Sequence, residues 1–410
     1  VRDGLIMAKP AGPRCNLRCS YCYYLAKEQL FPADSRRMAD DLLERYIAQR
    51  LQTAPGPNTH FEWHGGEPTI LGLDYFRRIV ELQRKHVVPG RSITNGLQTN
   101  GVLLDDAWLD FLAAESFNVG LSLDGPADLH DGFRTDAAGR PTHRDVVRAF
   151  QRLARRRVRC DVLCVLHAEN VRVPLRLYGF FRELGVRLLQ FLPLVEWRAE
   201  APAGVSPRTA RPEAMGDFLC QVFDEWIGHD LGRMVVQFFD ETMRPAAGLP
   251  HALCIFRETC GDVAVLEHDG TLYACDHFVD TEHRLGNLAE RPLAELMESP
   301  ALRAFGERKR DALPSVCREC DVLAWCHGGC PKDRFATTAD GESGLSYLCP
   351  AYQSFFRHAR PVMQRLAAHW KAGLPLGAFV ASPRPKAPAV GPNQPCPCGS
   401  GRKFKKCCRG

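Results

Sequence analysis

CNLRCSYC, residues 15–22, follows directly on the apolar run GLIMAKPAG (residues 4–12) and sets three cysteines on one tight loop. The spacing is Cys15-x3-Cys19-x2-Cys22. Three thiolates so placed suit an iron–sulfur cluster held by three protein ligands. One iron of a [4Fe–4S] cube would then be free to bind a small molecule. A structural zinc site ordinarily takes four protein ligands, and neither a histidine nor a further cysteine follows nearby.

Outward from this loop, short apolar runs alternate with amphipathic segments. GLIMAKPAG, HFEWHGG, SITNGLQTNG, FNVGLSLDG, RCDVLCVLH and VRLLQFLPLV read as strands that end in polar or glycine-rich turns. MADDLLERYIAQRLQ, LDYFRRIVELQRKHV, DDAWLDFLAAE and HRDVVRAFQRLARRR carry helical periodicity between them. The pattern predicts an α/β fold, a partial (β/α)6 barrel of the TIM type, with its chemistry at the C-terminal ends of the strands. The cysteine loop, Gly65–Pro68, Gln98–Gly101 and Ser122–Pro126 all fall at such ends. Residues 199–215 read as a loop, and MGDFLCQVFDEWIGHDL as a helix.

The remaining composition narrows the class. The chain has 410 residues, 25% charged and 45% hydrophobic, with a net charge of +5. That suits a soluble globular protein. Residues 396–410 hold five basic residues and no acid, so the basicity sits in a tail and no nucleic-acid surface is expected. No run approaches the length of a membrane span. The start, VRDGLIMAKP, lacks the apolar region of a signal peptide, which predicts a cytoplasmic protein. In that compartment 18 cysteines speak for metal rather than disulfides.

Beyond residue 250 the cysteines form a second field. Cys254, Cys260 and Cys275 precede Cys317, Cys320, Cys326, Cys330 and Cys349, enough for two four-cysteine sites. Zinc ribbons use similar spacings, and ligand type alone does not choose between the metals. SPRPKAPAVGPNQP, residues 382–395, holds five prolines and reads as a linker. Cys160, Cys164 and Cys220 remain, read as small buried hydrophobes.

The N-terminal triad, with aromatic Tyr21 before its last cysteine, resembles the signature of the radical S-adenosylmethionine (SAM) superfamily. The resemblance implies that Cys15, Cys19 and Cys22 hold a [4Fe–4S] cluster whose free iron chelates SAM. Gly65, Gly66 and Glu67 match the family's GGEP stretch near the SAM amino group. Gln98 and Asn100 match QTNG, and Ser122 matches SLDGP. The second field is similar to the SPASM extension, which carries two auxiliary [4Fe–4S] clusters. That resemblance assigns Cys254, Cys260, Cys275 and Cys330 to the first and Cys317, Cys320, Cys326 and Cys349 to the second. The crossover of Cys330 comes from the family, not from spacing. The implied domains are 1–235 (radical SAM), 236–375 (SPASM), 376–395 (linker) and 396–410.

Within this group the chain looks most like the anaerobic sulfatase-maturating enzymes, through KPAGPRCNLRCSYCYY, EWHGGEPT, LSLDGP with HDGFR, CDHF and CHGGCPKDR. Such enzymes oxidise a Cys or Ser of a sulfatase to Cα-formylglycine. The resemblance implies a 5′-deoxyadenosyl radical that takes hydrogen from Cβ, Asp276 as general base, and electron exit through the auxiliary clusters. It implies an unfolded or nascent sulfatase as substrate and a low-potential donor such as flavodoxin or ferredoxin. Tyr24 and His64 are candidates to line the peptide pocket. Arg134 and Arg144 are either SAM or substrate contacts or surface arginines. The alternative enzyme is another SPASM peptide modifier, forming a thioether, crosslink or epimer. A zinc-bound adaptor is the alternative outside catalysis. The tail CPCGSGRKFKKCC resembles the SEC-C motif, which implies Cys396, Cys398, Cys407 and Cys408 as zinc ligands.

Overall fold

Alternation in LIMAK makes β1 (Leu5–Lys9), with Ile6 and Ala8 buried. Four more predicted strands follow: β2 (Asn58–Trp63), β3 (Ser92–Thr99), β4 (Asn118–Ser122) and β5 (Cys160–Leu166). Each pairs in parallel with its predecessor, as in Met7↔Glu62, Phe61↔Asn95, Leu97↔Val119 and Leu121↔Val162. The structure is a computed structural model. It describes residues 4–31, 37–201, 204–379, 393, 394 and 403.

The chain forms two compact units. One comprises Val1–Cys164 and Ala252–Ser346, the other Val165–His251 and Tyr347–Gly410. Two further strands lie in the second unit: β6 (Leu188–Pro193) and β7 (Val235–Val236), a parallel pair. In the first unit the chain returns as β8 (Val263–Glu267), β9 (Thr271–Tyr273) and β10 (Arg284–Asn287). Its strand order is β10-β9-β8-β1-β2-β3-β4-β5. β8 runs parallel to β1 from Leu5↔Val263 to Lys9↔Glu267. β9 and β10 are antiparallel.

The expected α/β class with a mostly parallel sheet is what forms. The sequence did not announce that its cysteine-rich part lends a strand to the flank of β1. Because β1 and β8 are parallel, the residues after Lys9 and those after Glu267 leave the sheet at one edge. This sets His268 against Gly12 in the first cysteine loop, while the Cys275 segment follows β9 back along β8 and meets β1 through the Lys9–Asp276 contact.

Helices Asp40–Thr53, Leu73–His86, Asp106–Ala114 and His143–Arg155 bury their apolar faces in the first unit's core. Asp105 caps the third, accepting from Trp108 N at 2.9 Å. Phe76 stands edge-on to Trp108 at 5.1 Å and to Phe117 at 6.4 Å. In the second unit, helices Pro212–His229, Gln237–Ala247 and Cys349–Lys371 pack around Phe355. Its ring centroid lies 5.8 Å from Phe223, 5.3 Å from Phe238 and 5.6 Å from Phe239.

Cys164 is fully buried on β5; Cys160 and Cys220 are half-buried. Among the described residues no helix is long and apolar enough to cross a membrane. Most of the expected linker and the four tail cysteines, Cys396, Cys398, Cys407 and Cys408, lie outside the described residues.

Phe76→Ala removes a ring with no exposed surface from between Trp108 and Phe117. The expected loss is about 3–5 kcal/mol in the first unit, read as a lower midpoint of denaturant-induced loss of helical circular dichroism.

Candidate active site

The cysteine loop is built on its backbone. Gly12 N donates to Lys9 O at 2.9 Å and turns the chain off β1. Gly66 N then donates to Gly12 O at 2.8 Å, and Glu67 N to Arg14 O at 2.9 Å. This docks the loop on the turn after β2. Gly65 has φ +127°, a conformation that favours glycine, and a Cβ at Gly66 would overlap the Arg14 carbonyl. The GGEP glycines are therefore needed for close approach of two backbones.

Glu67 is turned inward. Its carboxylate is 1% exposed and accepts from Thr69 N (3.1 Å), Thr69 Oγ1 (2.7 Å), Thr99 Oγ1 (2.8 Å) and Asn100 N (2.7 Å). It ties the end of β2 to the end of β3, with three of the donors on Oε1 and Asn100 N alone on Oε2. Burial pushes its pKa up against the pull of these hydrogen bonds. Asn100 Nδ2 donates to Asn16 Oδ1 at 2.8 Å and lies 3.9 Å from Cys15 Sγ. Gln98 Nε2 donates to Ser122 Oγ at 3.1 Å across β3 and β4. Tyr21 donates its hydroxyl to buried Asp124. Arg134 is 8% exposed, not a surface arginine; Arg144 is exposed.

Asp276 sits where β1 and β8 deliver their loops. Lys9 Nζ and the Tyr23 hydroxyl each hydrogen-bond one of its carboxylate oxygens. Lys9 is fully buried, its ammonium 3.6 Å from the Tyr24 ring centroid. Tyr24 donates to both Glu267 oxygens, at 2.7 and 2.6 Å. Burial alone would raise the Asp276 carboxyl, but Lys9, His64 and His277 hold it well below the usual carboxylate range. It is ionised at neutral pH. His64 is kept neutral by burial, and its Nδ1 has no partner. The enclosing protein and Lys332 hold His277 down at about 4, against the pull of Asp276. Tyr23 is 44% exposed, so it carries the cluster's edge to the surface.

Sequence reasoning passed over Lys9, Tyr23, Glu267 and His277. A lysine inside the apolar run LIMAK was the available signal, since a buried lysine needs a partner.

In the second cysteine field, Cys254 lies within electrostatic reach of Cys260, Cys275 and Cys330, Cys275 within reach of Cys330, and Lys309 within reach of Cys254, Cys260 and Cys330. Lys309 is 1% exposed and donates to Cys254 O at 2.8 Å and Ile255 O at 3.0 Å. Cys317 lies near Cys320 and Arg334, and Arg334 is also near Cys326, Cys260 and Cys330. Cys349 opens a helix of the second unit.

Against known proteins, residues 10–180 match the radical SAM superfamily and residues 254–321 an iron–sulfur cluster-binding domain, SPASM. Residues 393–410 match the SEC-C motif. A serine-type anaerobic sulfatase-maturating enzyme of Bacteroides thetaiotaomicron is 39% identical over 87% of this chain and 90% of its own. A cysteine-type enzyme of Clostridium perfringens is 33% identical over 89% and 99%.

The chain belongs to the anaerobic sulfatase-maturating enzymes. The solved structure of anSMEcpe with AdoMet and the Cp18Cys peptide bound superposes with TM-score 0.80 at 33% identity, over 89% of this chain and 99% of that one. The Streptococcus suis protein SuiB, with its precursor peptide, shares the fold at TM-score 0.59 and 14% identity.

The donor set of the maturase loop suits a cationic cluster. Burial pushes the Cys15 thiol up to about 12, and Glu67, Cys19 and Cys22 add to the rise. A buried thiolate there needs positive charge beside it, which iron supplies. Among the described residues, no three His, Cys, Asp or Glu side chains converge to hold a single metal ion.

Gly66→Ala should push the cysteine loop off the β2 turn and lower the iron content of the chain, by about four irons for a [4Fe–4S] cluster on that loop. Iron analysis of anaerobically prepared protein checks this.

A pH effect follows from His130, fully buried, whose Nδ1 accepts from Asp124 N at 3.2 Å. Burial, against the pull of Asp124, holds it at about 4, below the ordinary 6.5 of a histidine. The unfolded chain takes up the proton first, so stability falls as pH drops from about 6.5 towards 4. Denaturation midpoints at pH 7 and 5 should differ less in His130→Gln.

Proposed function

We propose that the chain oxidises a cysteine or serine of a sulfatase polypeptide to Cα-formylglycine. The observation that carries this reading is the Lys9–Asp276–Tyr23 cluster, joined through Tyr23 to the loop of three half-buried thiols that ends at Cys22, in a chain of the maturase family. Cys15, Cys19 and Cys22 would hold a [4Fe–4S] cluster, with AdoMet beside Gly65, Gly66, Gln98, Asn100 and Ser122. Cys254, Cys260, Cys275 and Cys330 would hold one auxiliary cluster; the second follows the family assignment of Cys317, Cys320, Cys326 and Cys349. The bound groups supply a 5′-deoxyadenosyl radical that takes hydrogen from the substrate Cβ and a route for the electron that must then leave.

The chain's own residues do the rest. Asp276 takes the proton from the substrate thiol or hydroxyl, which becomes more acidic once the adjacent carbon carries a radical. A carboxylate with so low an affinity for protons is a weak base at rest. Its value lies in being ionised and aimed, with Lys9 and Tyr23 fixing both oxygens. Losing the proton makes the carbon radical easier to oxidise, so base and electron exit act on the same step. Tyr24, anchored on Glu267, and His64 wall the cleft beside Asp276.

The substrate must bring its Cys or Ser to the cleft on an extended chain, which favours an unfolded or nascent sulfatase. Thiolate clusters of this kind favour the reducing cytoplasm and a low-potential carrier such as flavodoxin or ferredoxin. The tail cysteines would add a zinc ion through their SEC-C likeness.

Reconstituted protein, given AdoMet, a reductant and paired Cys and Ser sulfatase-motif peptides without oxygen, should yield an aldehyde peptide and 5′-deoxyadenosine by mass spectrometry. A crosslinked or epimerised peptide instead would replace this reading with another SPASM chemistry. Asp276→Asn should slow peptide oxidation by about 10²–10⁴-fold while AdoMet cleavage falls far less. An equal loss of both would remove Asp276 from the base role.

A further inference from the structure

The cysteine loop is paired on its far side with residues 133–136. Arg18 N donates to Thr135 O at 2.8 Å, Ser20 N donates to Phe133 O at 2.9 Å, and Leu17 bridges Asp136 in antiparallel sense. These contacts share one register, in which residue 19 stands opposite residue 134. Side chains at opposed antiparallel positions lie on one face, with Cβ atoms about 4.5–5.5 Å apart. Arg134 is thus the cross-strand neighbour of Cys19. Its charge opposes the effect of burial on that thiol.

Arg134 is held in place by a buried pair. Its Nε donates to Asp124 Oδ2 at 2.8 Å and its Nη2 to Oδ1 at 3.4 Å. The guanidinium carbon lies 5.4 Å from the Tyr21 ring centroid, and Tyr21 donates to the same carboxylate. Asp124 is fully buried, its own N–H donating to His130. At Cys19 the favourable charge of Arg134 outweighs the unfavourable charge of Asp124. The pair is neutral in sum but presents its positive end to the thiol.

We propose that Arg134, aimed by Asp124, sets the reduction potential of the cluster that Cys15, Cys19 and Cys22 would hold. The inference rests on the reading of that loop given above. A cluster on three thiolates gains negative charge when it accepts an electron. A buried cation beside one ligand stabilises the reduced form, and a buried anion opposes it. Arg134 and Asp124 therefore act on the potential with opposite signs. Neither touches the substrate carbon in this scheme; both act through Cys19.

The test uses the full chain, reconstituted anaerobically with iron and sulfide. The cluster is titrated with dithionite and mediators in the presence of AdoMet, following the paramagnetic resonance signal that AdoMet alters. Arg134→Gln should move the midpoint to more negative potential, and Asp124→Asn to more positive potential, both with iron content retained. A midpoint that stays put or rises in Arg134→Gln, or stays put or falls in Asp124→Asn, overturns the proposal. If Arg134→Gln loses iron, the sign in Asp124→Asn decides alone. Loss of iron in both, and in Arg134→Lys, would make the arginine a structural brace and also overturn it. If wild-type protein shows no signal that responds to AdoMet, the cluster reading itself has failed, which is a distinguishable result.

Discussion

Three half-buried thiols on one short loop can be positioned only if something other than those thiols holds the loop. In this chain the backbone does it. Gly12 and Arg14 offer carbonyls to the Gly66 and Glu67 amides on one side, and Arg18 and Ser20 offer amides to residues 133 and 135 on the other. The loop is in effect an extra strand clamped between the turn after β2 and the segment after β4. This constraint explains why glycine stands at 66, where a side chain would collide with the clamp. It also explains why Glu67 is spent on internal hydrogen bonds. A carboxylate that ties β2 to β3 fixes the platform on which the loop docks.

The same economy accounts for what was legible in the sequence. The period-2 runs of β1 to β5 and the helical stripes between them gave the α/β class, because one buried face per element is a local property. Strand-end positions of Cys15, Gly66, Gln98 and Ser122 were legible for the same reason. Lys9 was not, since its meaning depends on a partner 267 residues away in sequence. β8 docks parallel to β1 after a long excursion through the second unit, and no local pattern records which edge it will join. Arg134 looked like a surface cation because arginine usually is one. Only the register that opposes it to Cys19 shows otherwise.

Buried or half-buried cations recur beside the cysteine groups of the first unit. Arg134 accompanies the N-terminal triad, Lys309 accompanies Cys254, Cys260 and Cys330, and Arg334 stands near Cys260, Cys317, Cys326 and Cys330. Each is anchored by protein oxygen atoms: Asp124 for Arg134, the carbonyls of Cys254 and Ile255 for Lys309, and those of Lys309, His327 and Gly328 for Arg334. Burying an ammonium or guanidinium is costly unless it is paired. A fold that does so next to each thiol group has placed positive charge where thiolates would otherwise repel one another.

Lys9 belongs to a different arrangement, and the contrast is informative. It faces carboxylates: Asp276 directly, and Glu267 by way of the Tyr24 ring on which it rests and the hydroxyl that ring carries. Where cations meet thiols, the effect is on metal ligation and electron affinity. Where a cation meets Asp276, the effect is on where a proton can go. Cys275 and Asp276 are consecutive, and Lys9 ties that segment to the end of β1. A residue that would ligate an electron acceptor and a residue that would accept the proton then share one peptide bond, so a shift of one backbone position would displace both.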